Sequence, residues 1–327
     1  MHLFLDWKVL LVSFCLAGIV QGQTSKDSLV YQDFRDQWVV YTDVGFTTSP
    51  FRISYPFAGD LESIQYKNNF QTIVGIGVAY KWFALRLGIP VLARYRSLEK
   101  YPKTDQFNIE LDYSFRNYYI EGQLNLCRGY AALNAAQWNP SSVSENELFP
   151  NLLSYNLSIG SWYFRDKNFK INALLGKRAH YLKEVKTWYV KSSFNIFGLD
   201  NMGKPLLPLS LTDNNETRTE AHNVGSFDVG LIPGYAYVNR VNNWQFSGWA
   251  GLGAVVQAKG YSTTTGAERI FLGLAPRFDF RLMGGYSVPD WFVFMVTDFD
   301  NKSMQVNDLT FRQYFYSIKI VAGKRFD

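Results

Sequence analysis

Ten charged residues recur at alternate positions of apolar-patterned segments: Arg86, Glu110, Asp112, Glu121, Arg277, Asp279, Arg281, Asp298, Lys319 and Arg325. Charges withdrawn from bulk water must be paired or hydrated. Because both signs occur, two readings are open. In one, the ten neutralise each other in a salt-bridged interior that plugs the space they share. In the other, they line a polar conduit or binding cavity. Glu110 and Asp112 lie two residues apart on one face, and nearby arginines are expected to neutralise them.

Catalytic chemistry finds little support. A serine hydrolase needs a nucleophile, a histidine base and an orienting group. Beyond residue 22 the chain has only His180 and His222, and it contains no Gly-x-Ser-x-Gly. Two histidines without nearby cysteines or an HExxH spacing make a poor zinc site. Asp213-Asn214-Asn215-Glu216 has calcium-capable oxygens but reads as a solvated turn. Gly75-Ile76-Gly77 lacks the third glycine and the following helix of a dinucleotide loop. Cys127 reads as an inert small lumen residue. No catalytic residue, cofactor or metal is expected.

The elements that would carry the ten charges are strands. In Phe70–Val91, Phe70, Thr72, Val74, Ile76, Val78 and Tyr80 alternate with Gln71, Ile73, Gly75, Gly77, Ala79 and Lys81. After Lys81-Trp82 the set Phe83, Leu85, Leu87 and Ile89 alternates with Ala84, Arg86 and Gly88. Alternate residues of a strand face opposite ways, so this is a hairpin with one broad apolar face and one small or polar face. Gln106–Phe115 and Ile270–Leu282 repeat the pattern most cleanly. Further strands are expected at 37–46, 118–127, 154–164, 169–176, 225–238, 244–257, 291–299 and 311–326. The segment 184–197 is expected to project outside the wall.

Short connections near 81–82, 116–117, 165–168, 239–243 and 284–290 alternate with longer ones near 47–69, 92–104, 129–152, 177–222, 259–268 and 300–308. That is the signature of a transmembrane antiparallel up-and-down β-barrel of about twelve strands with a polar lumen and long external loops. Tyr80, Trp82, Tyr113, Phe115, Tyr118, Tyr163, Tyr237, Trp244 and Trp291 fall beside the short turns, as a girdle at a water–lipid boundary would.

Composition agrees. The 327 residues are 47% hydrophobic, 17% aromatic and 19% charged, below the roughly 25% charge usual in soluble domains. The net charge of +5 is spread along the chain, which excludes a nucleic-acid face. Residues 1–22 read as a secretory signal, with Lys8 before the apolar run Val9–Val20. Residues 23–36 then form a periplasmic lead-in, and 37–327 a single barrel domain.

The segments Tyr66–Asn69, Ile73–Lys81, 105–130, Phe169–Gly176 and Ile232–Tyr237 resemble the domain-of-unknown-function 4421 family, predicted barrel proteins of Bacteroidota. The family often has proline before asparagine where this chain has Asn68-Asn69. The resemblance implies an outer-membrane location and carries no assigned activity. The expected role is transport, a channel or surface interaction. The alternatives are a lipid-modifying hydrolase or acyltransferase at the external rim, using His180 and His222, and a soluble periplasmic β-protein. Expected partners are outer-membrane lipid, the barrel-assembly machinery, and an envelope glycan, lipid or protein at the external loops. On this reading Val74→Arg or Leu87→Arg should cost several times what Gly77→Ser or Ala84→Ser costs.

Overall fold

The computed structural model describes residues 30–327 apart from 58–60, 70, 92–95, 116, 142, 167–168, 213–217, 264–265 and 267. The expected signal segment, residues 23–29 of the lead-in, Phe70 and the turn Asp213–Glu216 lie outside the described residues.

The strands are β1 (Tyr31–Asp33), β2 (Trp38–Thr48), β3 (Phe51–Ser54), β4 (Ser63–Asn68), β5 (Thr72–Tyr80), β6 (Phe83–Val91), β7 (Asp105–Phe115) and β8 (Tyr118–Leu133). They continue with β9 (Asn146–Phe164), β10 (Ala179–Tyr181), β11 (Val185–Asp200), β12 (Ala221–Val241), β13 (Trp244–Thr263), β14 (Glu268–Ser287), β15 (Trp291–Val306) and β16 (Leu309–Phe326). One short helix, α1, spans Ile171–Leu175.

Twelve strands, β2, β5–β9 and β11–β16, pair antiparallel around a closed ring. β16 closes it by pairing with β2, bringing Phe326 opposite Trp38. Both ends of the ring-forming chain therefore lie at one end of the barrel, here called the terminal end. The pattern that forms each strand also sorts its faces. On β5 and β6, Ile76, Leu87 and Ile89 are exposed outwards while Ile73, Ala79, Ala84 and Arg86 are buried inwards. Around the terminal end neighbouring rings meet on the outer surface: Trp38 with Tyr80 at 4.5 Å, Trp82 with Tyr113 at 5.2 Å and Tyr118 with Tyr163 at 5.2 Å.

At the other, distal end the wall narrows. β3 continues the line of β2 and pairs with β16, while β4 pairs with β3 and then with β8. This strip bypasses β6 and β7. Phe51, Tyr66, Tyr130, Phe149, Phe197, Leu206 and Phe311 fill the space beneath it as a buried apolar core. The distal mouth is closed by packing.

Several expectations are corrected. Residues 169–176 are not a wall strand: they form the buried helix α1, which ends where Gly176 takes φ +71°. Residues 184–197 do not project: they belong to β11, which pairs with β9 and β12 along its length. The two errors cancel in the strand count. The turn expected at 165–168 is a connection running from 165 to 184, and His180 therefore lies near the terminal end, not in an external loop. The long loops expected at 259–268 and 300–308 are mostly strand. β15 and β16 turn tightly at Asn307-Asp308, with Asn307 at φ +53°, a conformation asparagine tolerates. Tyr31–Asp33, within the expected lead-in, pairs with β10.

Gly75 and Gly77 face Asp43 and Tyr41 across the β2–β5 pair. A side chain at Gly77 would overlap the Tyr41 ring, so Gly77→Ser is not the mild control that the sequence suggests. Leu87→Arg is expected to lower refolding stability in bilayers by about 2–4 kcal/mol, the usual penalty for a mid-bilayer arginine. Gly77→Ser should also destabilise, through the clash; urea titration of both variants measures this.

Candidate functional site

The inward faces of seven strands carry one connected chain of charges. Arg86 on β6 donates from Nε and Nη2 to the two carboxylate oxygens of Asp43 on β2, each at 2.6 Å. It also donates to Asn108 and lies 3.4 Å from Glu110 on β7. Lys319 on β16 reaches Glu110 at 3.2 Å and Asp298 at 3.9 Å. Arg281 on β14 pairs with Asp298 on β15 and donates to Glu121 on β8 at 2.9 Å. β7 and β16 are not neighbours in the ring, nor are β8 and β14. The Lys319–Glu110 and Arg281–Glu121 bonds therefore cross the lumen.

Two further clusters lie on the inner wall. Asp228 accepts bonds from Arg277, from Asn195 at 2.7 Å and from Gln257 at 3.2 Å. Asp279 accepts from Trp162 Nε1 at 3.1 Å, the Tyr189 hydroxyl at 3.2 Å and Lys191 Nζ at 2.9 Å. Arg277, Asp279, Trp162, Lys191 and Asn195 border a cavity of about 100 Å³ whose other lining includes the amides and hydroxyls of Asn108, Gln123, Asn125, Asn156 and Ser193. Arg281 stacks over Trp249 at 4.7 Å and Lys191 over Trp162 at 4.3 Å, so the cations are held against aromatic faces as well as carboxylates.

The terminal mouth is filled by residues 169–181. Phe169, Ile171, Leu174 and Leu175 are buried, and the wall holds this segment by its main chain. Gln245 Nε2 donates to the carbonyls of Ala173 (2.8 Å) and Leu174 (3.0 Å), and Ser247 Oγ donates to Leu174 O at 2.9 Å. Arg325 donates to Gly176 O at 2.6 Å and Lys177 O at 2.8 Å while its guanidinium lies 4.2 Å from the Phe34 ring. The free carbonyls at the end of α1 thus accept hydrogen bonds from wall side chains. In return the plug sends Arg178 to pair with Asp112 on β7. Lys177 lies over the Tyr41 ring at 4.2 Å.

All ten charges expected in the lumen face inwards, in three settings. Arg86, Glu110, Glu121, Arg281, Asp298 and Lys319 form the crossing chain. Arg277 and Asp279 belong to the wall clusters, and Asp112 and Arg325 hold the plug. Sequence reasoning missed Asp43, Asp228 and Lys191, although each lies on the polar side of an alternating strand. It missed Lys177 and Arg178 because their segment was read as wall and loop. Cys127 is buried beside Gln106. His180 does contact a serine, Ser287 Oγ at 3.2 Å, but its other nitrogen faces Gln32 Oε1 at 3.1 Å rather than a carboxylate. The group that would orient a catalytic histidine is an amide here. Among the described residues no cluster has the makeup of a metal site.

A model of the family described as Domain of unknown function (DUF4421) matches residues 25–326. The chain belongs to the DUF4421 family. No curated protein matches it. Among solved structures this DUF4421 chain is similar to an outer membrane channel from Pseudomonas putida F1, at 9% identity and TM-score 0.35, covering 92% of this chain and 100% of that one. It is also similar to the P. putida toluene transporter TodX, at 6% identity and TM-score 0.28, covering 89% and 90%. OmpT, an outer membrane protein of Vibrio cholerae, matches at 9% identity and TM-score 0.29, covering 92% and 99%.

Two outcomes follow for this DUF4421 protein. Removing one partner of a buried ion pair strands the other, at about 3–5 kcal/mol, whereas an apolar replacement of both is nearly neutral. Arg86→Met should therefore destabilise strongly, and Asp43→Leu/Arg86→Met should recover most of the loss in urea unfolding. The second outcome concerns pH. Burial first, then Arg240 and Arg325, push the His180 pKa down to about 3, against about 6.5 unfolded. With the folded value depressed, the unfolded state binds the proton first as pH falls. His180 thus contributes fully above about pH 6.5 and progressively less down to about 3. Hydrogen-exchange protection of residues 169–181, taken relative to the intrinsic rate at each pH, should fall between about pH 7.5 and 5, and His180→Gln should remove most of that pH dependence.

Proposed function

We propose that this protein is an outer-membrane barrel, terminal end towards the periplasm, that acts as a gated conduit for small polar solutes. The observation that carries this reading is a small polar cavity, about 100 Å³, lying between the apolar distal core and a plug whose main-chain carbonyls are gripped by wall side chains. The outer surface supports the membrane placement. From the terminal aromatics to a second set, Trp38 to Phe46, Phe115 to Phe107, Tyr286 to Phe278 and Trp291 to Phe299, each exposed strand face runs the length that a tilted strand of roughly 9–11 residues needs to cross a bilayer. A wall side chain that grips a carbonyl can release it to water at modest net cost, because each such bond is worth only about 0.5–1.5 kcal/mol. The plug is therefore a detachable element in a wall that is not.

The lumen charges set what would pass. With the acids and bases around the cavity already paired, it offers neither a strong anion nor a strong cation filter, and a neutral or zwitterionic polar solute meets the fewest barriers. The full mature chain in planar bilayers is expected to be silent. Replacing residues 169–181 by a flexible linker should give discrete conductance steps. Silence from both forms, with correct barrel folding shown by a heat-modifiable gel shift, would remove the conduit reading.

A further inference from the structure

One junction of the wall differs from its neighbours. β15 pairs with β14 only between Phe292 and Phe299, opposite Ser287 to Phe280. Beyond that point β14 runs on to Glu268 held by β13 alone, and β15 runs on to Val306 held by β16 alone. Side chains stitch the gap. Arg277 Nη1 donates to Asn301 O at 3.0 Å, Gln257 Nε2 to Ser303 O at 2.9 Å, and the Phe278 N–H to Asn301 Oδ1 at 3.4 Å. The free stretch of β14 is an unpaired strand edge, the feature that native sheets ordinarily cover or charge.

Its two faces differ in chemistry. Outwards, Ile270, Leu272 and Leu274 are 79%, 80% and 75% exposed, among the most exposed large apolar side chains described. Inwards, three polar groups lack partners among the described residues. Lys259 is 9% exposed as a residue, and its ammonium takes part in no ion pair or hydrogen bond among the described residues. Ser226, directly opposite Lys259 across the β12–β13 pair, has an unpartnered Oγ. Arg277, 1% exposed, has an unpartnered Nε. A side chain at Gly273 would come within 2.8 Å of Lys259 Nζ, so the ammonium lies over the inner face of β14 between the levels of Leu272 and Leu274. A largely buried lysine without a counter-charge is unusual, and here its ammonium sits beside the open edge of the wall, near two more unpartnered atoms.

We propose that this seam binds a single-chain amphiphile with an anionic headgroup. The headgroup oxygens accept bonds from Lys259 Nζ, Ser226 Oγ and Arg277 Nε, and the hydrocarbon chain lies outside over Leu272 and Leu274. Charge complementarity selects the headgroup: the atoms left unsatisfied can all donate, Lys259 has no counter-charge, and the neighbouring carboxylate Asp228 is already taken by Arg277, Asn195 and Gln257. The apolar outer face and the unpaired edge select one slender chain. The proposal rests on the outer-membrane reading but not on the conduit.

The full mature chain in lipid nanodiscs would be photolysed with diazirine-bearing long-chain carboxylate, alkyl phosphate or alcohol, and the adducts mapped by mass spectrometry. Adducts at 270–274 are expected from the carboxylate, the phosphate or both, and which one labels identifies the headgroup source. Labelling should fall about tenfold in Lys259→Met, the equivalent of one charge-assisted contact, and persist in Lys259→Arg. Equal labelling by the alcohol, or labelling unchanged in Lys259→Met, would overturn the seam site. Recovery of the native protein outside the membrane fraction would instead overturn the location on which the site depends.

Discussion

A β-sheet that is apolar on one face and charged on the other needs the charged face hidden from apolar surroundings and every backbone donor matched. Closing the hydrogen-bond ladder meets both demands at once. Here the β16–β2 pairing, from Tyr316–Thr48 to Phe326–Trp38, is the joint that turns twelve strands into a ring. Once it forms, alternate side chains have nowhere to go but lumen or exterior. The polar groups inside must then neutralise each other. The crossing bonds Lys319–Glu110 and Arg281–Glu121 exist because closure brings together strands far apart in the chain.

The interior is consequently layered. An apolar core fills the distal mouth, a polar cavity occupies the middle, and α1 with β10 fills the terminal mouth. Each layer is stabilised differently. The distal core, with Phe51 stacked on Tyr66 at 4.5 Å, excludes water by packing. The middle is held by compensated charge, which confers little net stability yet punishes any unmatched change. The plug is held by its buried apolar side chains, by the Arg178–Asp112 pair and by wall side chains reaching its carbonyls. At the β14–β15 seam, side chains substitute for ladder bonds.

Much of this was legible in alternation. Gln106–Phe115 and Ile270–Leu282 announce their faces, and their inward residues include five of the ten charges expected in the lumen. Gly75 and Gly77 signal large inward neighbours, which prove to be Asp43 and Tyr41. The departures have separate causes. Phe169–Gly176 is apolar because it is buried on every side, and an apolar run does not say whether it is wall or filling. Lys186–Phe197 has the alternation of a wall strand, but the count of strands was already complete with 169–176 in place. The β13–β14 and β15–β16 turns look like loops because Gly, Ser, Thr and Asn are common both in turns and in exposed strand ends.

The sequence by itself determined the ring of amphipathic strands, the sign and facing of the lumen charges, and the aromatic belt at one end, because a period of two is a local property that needs no knowledge of the partner strand. Only the tertiary structure decided which charges pair, that residues 169–181 turn inwards as a plug, and that β14 and β15 separate above Phe280. Those outcomes depend on which strands come to face each other across the lumen, as Glu110 faces Lys319 from more than two hundred positions away in the chain. No local pattern records that distance.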